Sequence, residues 1–354
     1  MSESGAYAGR GGGAPATART AGAGGAKGAR TRRLANHPIL RLALIRGGLG
    51  LVTLFIVSIV VFAATQVLPG NAAYAVLGHY ATEARVRVIE AQLHLNRPAV
   101  VQYWDWLTGV LTGHFGTSLV DGVSVSSLVG PRIANSAVLV LLSGAIGTII
   151  AVTLGSIAAV RRGGIFDEVS SVVALAITSL PEFVVAVGLV IVFAANILHV
   201  LPAVSVIPPG VAPWSEPSML VLPVAALVIA IVPYIFRMMR ASMIEALESD
   251  YVEMVRLKGV PLWKIVLSHA LPNAIAPTIQ VIGLSYLYLA GGIVIVEDVF
   301  NYPGIGQGLV NAVTDRDIPV IQLIVLLLGA FYVVVNIACD IIALLATPRR
   351  RIPR

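Results

Sequence analysis

Residues 250–277, DYVEMVRLKGVPLWKIVLSHALPNAIAP, form a charged segment between two long apolar stretches. Apolar residues recur at steps of three and four from Ile244 to Lys258, which predicts an amphipathic helix there. Gly259 suits the left-handed conformation that ends a helix, and Pro261 suits the start of the next one. We therefore predict a helix, a glycine turn and a second helix that enters an apolar span at Pro272.

The rest of the chain has the composition of a membrane protein. Of its 354 residues, 57% are hydrophobic and 12% are charged, and the mean hydropathy is +0.88. A soluble domain carries about twice that share of charged residues. Aromatic residues make up only 6%, which favours lipid-facing helices over a barrel with aromatic girdles. The predicted fold class is therefore an all-α polytopic membrane protein.

Six apolar runs are long enough to cross a bilayer, which takes about 20 residues in a helix. They are Leu49–Leu68, Ala137–Val160, Val172–Leu198, Met219–Ile235, Ala274–Val296 and Val320–Ala346. An even number of spans leaves both termini on the same side. The sequence predicts six transmembrane helices.

The distribution of Lys and Arg predicts the orientation, because basic loops stay in the cytoplasm. With both termini cytoplasmic, 19 of the 24 basic residues lie inside. The boundaries are then a disordered cytoplasmic tail at 1–38, a transmembrane domain at 39–348 and a basic cytoplasmic end at 349–354. The external loop is about 69–136 and the charged cytoplasmic loop about 237–272. The Arg-rich start of the tail leaves an organellar transit peptide as an alternative.

The external loop contains two predicted amphipathic helices, at 83–94 and 99–111. Three aromatic side chains with polar edges would lie at headgroup level. They are Tyr103, Trp104 and Trp106. The pair either seals the outer face or docks a partner.

Three of the polar residues inside apolar runs are candidates for a pathway. An ionisable group at membrane depth costs about 2.5 to 3.5 kcal/mol, so such groups face protein or water. Glu182 follows Pro181, which predicts a polar bend that lines a pathway. Asp340 is a second pathway candidate, although its place near the end of the last span allows a short reach to the interface. Asn336 is the third candidate.

Motifs of soluble enzymes are absent from the sequence. There is no GxxxxGK[ST], HExxH, GxSxG or CxxC pattern, and the six histidines have no metal-ligand spacing. The single cysteine, Cys339, excludes an internal disulfide. We expect no catalytic residue, no metal and no cofactor, and we expect any ATP hydrolysis to occur in partner subunits.

The cytoplasmic loop has two candidate partners, lipid headgroups and a protein. Basic side chains favour the headgroups: Arg256, Lys258 and Lys264. Acidic side chains are repelled by anionic headgroups: Glu245, Glu248, Asp250 and Glu253. The acidic residues favour docking to a cytoplasmic protein.

Several motifs resemble the dipeptide/oligopeptide/nickel permease family of binding-protein-dependent ABC importers, and the outer loop with HFGTS (114–118) resembles the first of its two permease subunits. Glu253-Met254-Val255, Gly259 and His269-Ala270-Leu271-Pro272 have the spacing of the family's EAA loop, although Met254 and Val255 replace its alanines and His269 its isoleucine. Four further stretches are similar to the family: AAVRRGGIFDE (158–168), SLPEF (179–183), VFNYPGIGQGLVNAVTDRDIPVIQ (299–322) and CDIIALLATPRRR (339–351). The resemblance covers about 39–350.

The resemblance implies a type I ABC importer permease for di- or oligopeptides in the plasma membrane. It implies a second permease subunit, two cytoplasmic ATPase subunits and an extracytoplasmic binding protein, and no nucleic acid. The 250–272 loop would couple the chain to an ATPase. The residues implied for that role are Glu253, Met254, Val255, Arg256, Lys258, Gly259, Leu271 and Pro272.

Two other functions remain open at this point. An ion-coupled secondary transporter or channel would use Glu182 and Asp340. A membrane scaffold would use the cytoplasmic loop only to recruit a soluble partner. Within the family, nickel or another small solute is an alternative to peptide.

Overall fold

The computed structural model describes residues 38–67, 82, 83, 87, 97–195, 197–208 and 210–346. Within these ranges the regular structure is helical, and the only β pairing is an isolated bridge between Thr117 and Ser124. The predicted tail and most of the predicted 83–94 helix lie outside the described residues. The described part has the predicted all-α fold.

Eleven helices make up the regular structure of the described residues, apart from short π and 3-10 turns. The first five are α1 (Pro38–Val67), α2 (Ala99–Leu111), α3 (Val125–Val160), α4 (Ile165–Thr178) and α5 (Glu182–Val190). The others are α6 (Pro217–Leu247), α7 (Asp250–Leu257), α8 (Leu262–Ile265), α9 (Leu271–Val299), α10 (Ile305–Thr314) and α11 (Ile318–Ala346).

Five of the described helical segments are long and apolar enough to span a membrane, and α4 with α5 form a bent sixth. The predicted number of spans is therefore confirmed when the bent pair is counted as one. The third span, predicted at Val172–Leu198 with a bend at Pro181, is bent there, since its two halves meet at 102°. Pro181 lies at the N-cap position of α5, where its lack of an amide hydrogen ends the pairing of the preceding helix.

Helix α6 lies at the centre of the bundle. In its most apolar stretch 61% of the residues are buried, against 22% to 33% in the other four continuous spans. Its main partners are α3 and α9, and α4 and α5 also pack on it. Two prolines inside it, Pro223 and Pro233, are buried in this packing. The predicted span Met219–Ile235 was too short, because α6 continues to Leu247.

Glycines let α3 approach α6 closely. A Cβ on Gly155 would lie 2.9 Å from the carbonyl oxygen of Phe236 and 3.0 Å from the Cβ of Met239. Small residues at helix contacts are a main source of attraction between spans in lipid, because they allow extensive van der Waals contact. The α3–α6 contact is therefore fixed by backbone proximity.

The first and last spans, α1 and α11, pack side by side. Gln322 donates from Nε2 to Thr65 Oγ1 at 2.8 Å between them. The predicted outer helix is confirmed as α2, and the Tyr103 hydroxyl lies 2.8 Å from Ser58 Oγ on α1. The rings of Tyr103 and Trp106 pack against Phe62, so this helix covers the C-terminal end of the first span.

The charged segment at the end of α6 contains a helix break that was not predicted. The single helix predicted from Ile244 to Lys258 is wrong, since α6 ends at Leu247 and α7 begins at Asp250. Ser249 donates its hydroxyl to the Ala246 carbonyl at 2.7 Å, which satisfies a terminal carbonyl of α6. The predicted glycine turn is confirmed, with Gly259 at φ +76° and its amide bonded to Arg256 O at 2.9 Å.

The close α3–α6 contact predicts a large effect of a single methyl group. Gly155→Ala should destabilise the protein by about 1–3 kcal/mol, because the α6 backbone must move to admit the Cβ. Gly48→Ala, on the exposed side of α1 with nothing within 4 Å, should be neutral or slightly stabilising. Thermal unfolding of both detergent-purified variants checks this, and equal Tm values would contradict it.

Candidate functional site

Helix α7 presents an exposed surface with mixed apolar and charged side chains. Val252 is the residue of this helix that is buried, and it anchors α7 to the bundle. Met254 and Leu257, on the apolar side of the predicted amphipathic helix, are 59% and 76% exposed. Exposed apolar side chains flanked by charges are suited to binding a protein partner.

The predicted coupling residues lie together on this segment. Most of their side chains are exposed: Glu253, Met254, Arg256, Lys258, Gly259 and Pro272. Val255 and Leu271 are partly buried. The last two of the eight, Leu271 and Pro272, open α9, so the set runs from the exposed helix to the start of a span.

Tyr251 connects α7 to the base of α9. Its hydroxyl lies 2.6 Å from His269 Nδ1, and the two rings meet edge to face with centroids 5.6 Å apart. His269 lies in a π-helical turn, Val266–Ala270, that runs directly into α9. Its carbonyl accepts from Asn273 Nδ2 at 2.8 Å. Residue 269, a departure from the family pattern, thus forms part of the connection.

Two ion pairs join neighbouring helices near α7. Arg162, in the turn between α3 and α4, pairs with Glu248 directly before α7. Arg240 of α6 binds both carboxylate oxygens of the buried Asp167 in α4, with Nη2 at 2.7 Å from Oδ2. Asp167 Oδ2 also accepts from the Gly163 amide at 3.0 Å. The bidentate pair is the stronger, since Asp167 is buried and all its partners are donors.

A cavity of about 440 Å³ lies between α7 and the C-terminal end of α3. Glu253 and Arg256 line it from α7, opposite the Arg162–Glu248 pair. Leu257 lines the cavity as well, so all three side chains face the rest of the chain in part, whereas Met254 does not line it and is 59% exposed.

The three polar residues predicted inside the membrane are not brought together. Glu182 begins α5 at the bend of the third span and contacts Gly292 of α9. Asp340 of α11 pairs with Arg46 of α1 at 2.8 Å, which offsets the cost of its charge. Asn336 is half-buried in α11, which packs against α1 and α9. Asp340 therefore has a partner on the first span, and Glu182 lies at a different helix contact.

A buried carboxylate that is not among the predicted site residues lies at the C-terminal end of α9. Glu297 is fully buried and accepts from Ser136 Oγ at 2.6 Å, from the Gly306 amide at 2.7 Å and from the Gln307 amide at 3.3 Å. The two amides belong to the first turn of α10, where a negative charge is favoured. Glu297 therefore fastens α10 to α3 and α9.

Neighbouring side chains add further hydrogen bonds around Glu297, and together they form the Glu297 cluster. Arg132 donates from Nη1 to Gly304 O and to Gln307 Oε1, both at 3.1 Å. Asn135 Nδ2 donates to Pro303 O at 2.8 Å. Burial raises the pKa of the Tyr302 phenol, which therefore stays protonated and donates to Asn135 O at 2.9 Å.

A second buried carboxylate, Asp317, holds the HFGTS element of the outer loop. It accepts from the Ser118 hydroxyl and, at 3.1 Å, from the Leu119 amide. Sequence reasoning missed Glu297 and Asp317 because each lies just outside a predicted span, where an acid needs no explanation. Within the described ranges, no group of three or more His, Cys, Asp and Glu side chains could share a metal ion.

Comparison with known proteins shows the family to which the chain belongs. A family model for the inner membrane component of binding-protein-dependent transport systems matches residues 151–352. A second model, for the N-terminal part of such membrane components, matches residues 39–130. The chain belongs to this family of transport permeases. The permease is a transport component and not an enzyme.

Individual relatives have similar lengths. A probable peptide ABC transporter permease of Sinorhizobium fredii is 36% identical over 296 residues, which cover 83% of this permease and 94% of the relative. A putative peptide permease of Brucella suis is 37% identical over 320 residues, 89% and 100% of the two chains. The glutathione transport system permease of Escherichia coli K12 is 34% identical over 317 residues, 89% and 99% of the two chains.

A solved structure also resembles the permease. This is a chain of the MetNI methionine ABC transporter in inward-facing conformations, with a TM-score of 0.48 and 19% identity. The match covers 60% of this permease and 93% of that chain.

The Glu297 cluster predicts that the stability of the permease depends on the Glu297 carboxylate. Glu297→Gln should destabilise the permease by about 1–3 kcal/mol, because the amide NH₂ must face either the Ser136 hydroxyl or the α10 amides. Asp298→Asn, at the exposed neighbouring position, should have little effect. Thermal unfolding and limited proteolysis at the 300–317 segment of both variants provide the measurement. A Glu297→Gln permease as stable and protease-resistant as wild type would contradict the role of the cluster.

Proposed function

We propose that this chain is a permease subunit of an ATP-driven importer that moves di- and oligopeptides across the plasma membrane. It would pair with a second permease subunit, two cytoplasmic ATPase subunits and an extracytoplasmic binding protein. Both termini would lie in the cytoplasm, since that orientation keeps 19 of 24 basic residues inside. The names of the relatives from S. fredii and B. suis support peptide as the substrate class, and the E. coli relative extends it to glutathione.

The observation that carries the proposal is the way α7 is attached. Two residues join it to the central span α6, and Tyr251 joins it to the start of α9 through His269. Both attachments lie at the N-terminal end of α7, since Tyr251 is its second residue, so this end cannot move far without moving α6 and α9. A push on α7 by an ATPase would therefore reach two spans directly.

The residues implied by the EAA-like pattern have distinct roles in this proposal. Met254 and Leu257 would enter an apolar groove of the ATPase, with Glu253, Arg256 and Lys258 pairing around it. Gly259 permits the turn, and Leu271 and Pro272 begin α9. ATP binding shifts the permease only if the ATPase contacts the inward and outward states differently.

Of the three intramembrane candidates, we propose only Glu182 for the pathway. Asp340 has an ion-pair partner in Arg46, and Asn336 lies on the same last span. An ion-coupled transporter that used Glu182 and Asp340 together would need the two acids to share a site. Their partners on different helices disfavour that alternative.

The attachment surface on α7 predicts a loss of ATPase binding when it is charged. Leu257→Asp should weaken association at least about tenfold, because an apolar contact is replaced by a desolvated carboxylate. Leu111→Asp on the outer helix α2 is the matched control, since Leu111 is 77% exposed and Leu257 76%. Co-purification from detergent and titration of purified ATPase measure the effect. Equal association of both variants would contradict docking at α7.

The Tyr251–His269 contact predicts a defect in coupling rather than in binding. Tyr251→Phe keeps the ring but removes the hydrogen bond, so the peptide transported per ATP should fall roughly two- to tenfold. Tyr332→Phe, the same change in α11 at a position with no hydrogen bond among the described residues, is the control. Peptide uptake and phosphate release in proteoliposomes give the ratio. Unchanged coupling in Tyr251→Phe would exclude this contact from force transmission.

A further inference from the structure

The bend in the third span places one carboxylate deep in the membrane. Glu182 is the first residue of α5, directly after the 102° break. Its carboxylate contacts Gly292 of α9, where any larger residue would collide with it. Gly292 and the neighbouring Tyr288 lie 7 and 11 residues before the end of α9, or roughly 10 to 16 Å along the helix axis. Glu182 therefore lies far from either surface of a bilayer core about 30 Å thick.

This carboxylate has spare binding capacity. The Tyr288 hydroxyl lies beside it, but Glu182 Oε2 has no hydrogen-bond partner within the described residues. No cation of the described chain forms an ion pair with it, in contrast to Asp340, Asp167 and Glu248. A carboxylate that keeps its charge at this depth needs a partner from outside the described chain.

The surroundings of Glu182 are aromatic and partly exposed. The rings of Tyr234 and Tyr288 lie 6.0 Å apart and are each nearly half-exposed, as is Phe183 next to Glu182. The same face continues towards the cytoplasm as a cavity of about 710 Å³, lined by Tyr234, Arg237 and residues of α4 and α9. Tyr234 connects this cavity to the phenol pair beside Glu182, whose side chain is partly exposed although its Oε2 is buried.

A carboxylate bordered by phenol rings selects positive charge. The faces of the rings attract cations, and the carboxylate supplies a charged hydrogen-bond acceptor. An anion would be repelled at the same place, and a neutral apolar group would leave the carboxylate unpaired. Among the groups of a peptide, the N-terminal ammonium fits this chemistry.

We propose that Glu182, Tyr234 and Tyr288 form a mid-membrane subsite that binds the primary ammonium of a peptide during its passage. The inference rests on the proposed function, because it requires that peptides move along this face. It assigns to the permease itself a contribution to selectivity, in addition to that of the binding protein. Gly292 is a positioning residue, since its lack of a side chain admits the carboxylate.

The test uses the complete transporter in proteoliposomes with saturating binding protein. Glu182→Gln has the same shape and loses no ion pair within the described chain, so it should fold normally. Uptake of a peptide with a free N-terminus should fall about tenfold. Uptake of its N-acetylated form, at concentrations that saturate the binding protein, should stay at the wild-type rate. Glu168→Gln, on the exposed start of the same span, should change neither rate.

The aromatic part of the subsite has its own pair of variants. Tyr288→Phe keeps the ring and should retain most of the uptake of the free peptide, whereas Tyr288→Leu should lose it to the same degree as Glu182→Gln. Equal loss in Tyr288→Phe and Tyr288→Leu would overturn the role of the ring.

The remaining outcomes distinguish failure of the subsite proposal from failure of the proposed peptide transport. If Glu182→Gln reduced the uptake of both peptides equally, or released the second permease subunit, the subsite would be overturned. Glu182 would then be assigned to a contact between subunits. Unchanged uptake of both peptides in Glu182→Gln would overturn the subsite alone. Absence of ATP-dependent peptide uptake by the wild-type complex would overturn the peptide function and the subsite with it.

Discussion

Only Glu248 and Ser249 separate the central span α6 from the exposed helix α7, and the proposed coupling depends on this short connection. A longer linker would let α7 move independently of the membrane domain. Here the connection is reinforced, because Glu248 pairs with Arg162 and Ser249 caps a carbonyl of α6. The Tyr251–His269 contact then fixes the other side of α7 to the start of α9. Movement of α7 is thereby linked to two of the most closely packed spans.

The same physical constraint explains most of the polar contacts in the membrane domain. In lipid, a charge or a polar group must find its partner within the protein. Asp167 finds Arg240, Asp340 finds Arg46, and Glu297 finds the first turn of α10. The first two of these contacts, and the bond of Glu297 to Ser136, join segments that are distant in sequence, so they also fix the arrangement of the helices. Glu182 is an exception, and for that reason it points to a ligand.

Much of the fold follows from the sequence alone. Hydropathy identified the spans, and the positions of Gly259 and Pro261 identified the turn after α7, because each signal depends on a few neighbouring residues. The bend at Pro181 was suggested by the proline, but its angle of 102° depends on packing against α6 and α9. The break at 248–249 was missed because the apolar residues continue at helical spacing across it. The spacing of apolar residues does not show that α7 is a separate helix, which buries Val252.

The candidate sites were predicted less completely than the spans. Spacing similar to a known family marked 253–272, but the contact that ties this segment to α9 involves His269, a position that departs from the family pattern. Glu297 and Asp317 were missed because burial at the ends of spans is created by α10 and the outer loop folding back. Such contacts between distant residues are absent from any single window of sequence. They become visible only when the helices are placed together.

The most direct test of the central claim is a distance measurement within this chain. Spin labels at Lys258→Cys on α7 and Glu168→Cys on α4, with Cys339 replaced by Ser, report whether α7 moves with its own spans. Both positions are exposed. In the purified transporter, the distance should be the same without nucleotide and with trapped ATP, because α7 and the bundle move as one body. A change of about one helical turn, roughly 5 Å, would show that α7 hinges on its own and would contradict direct coupling.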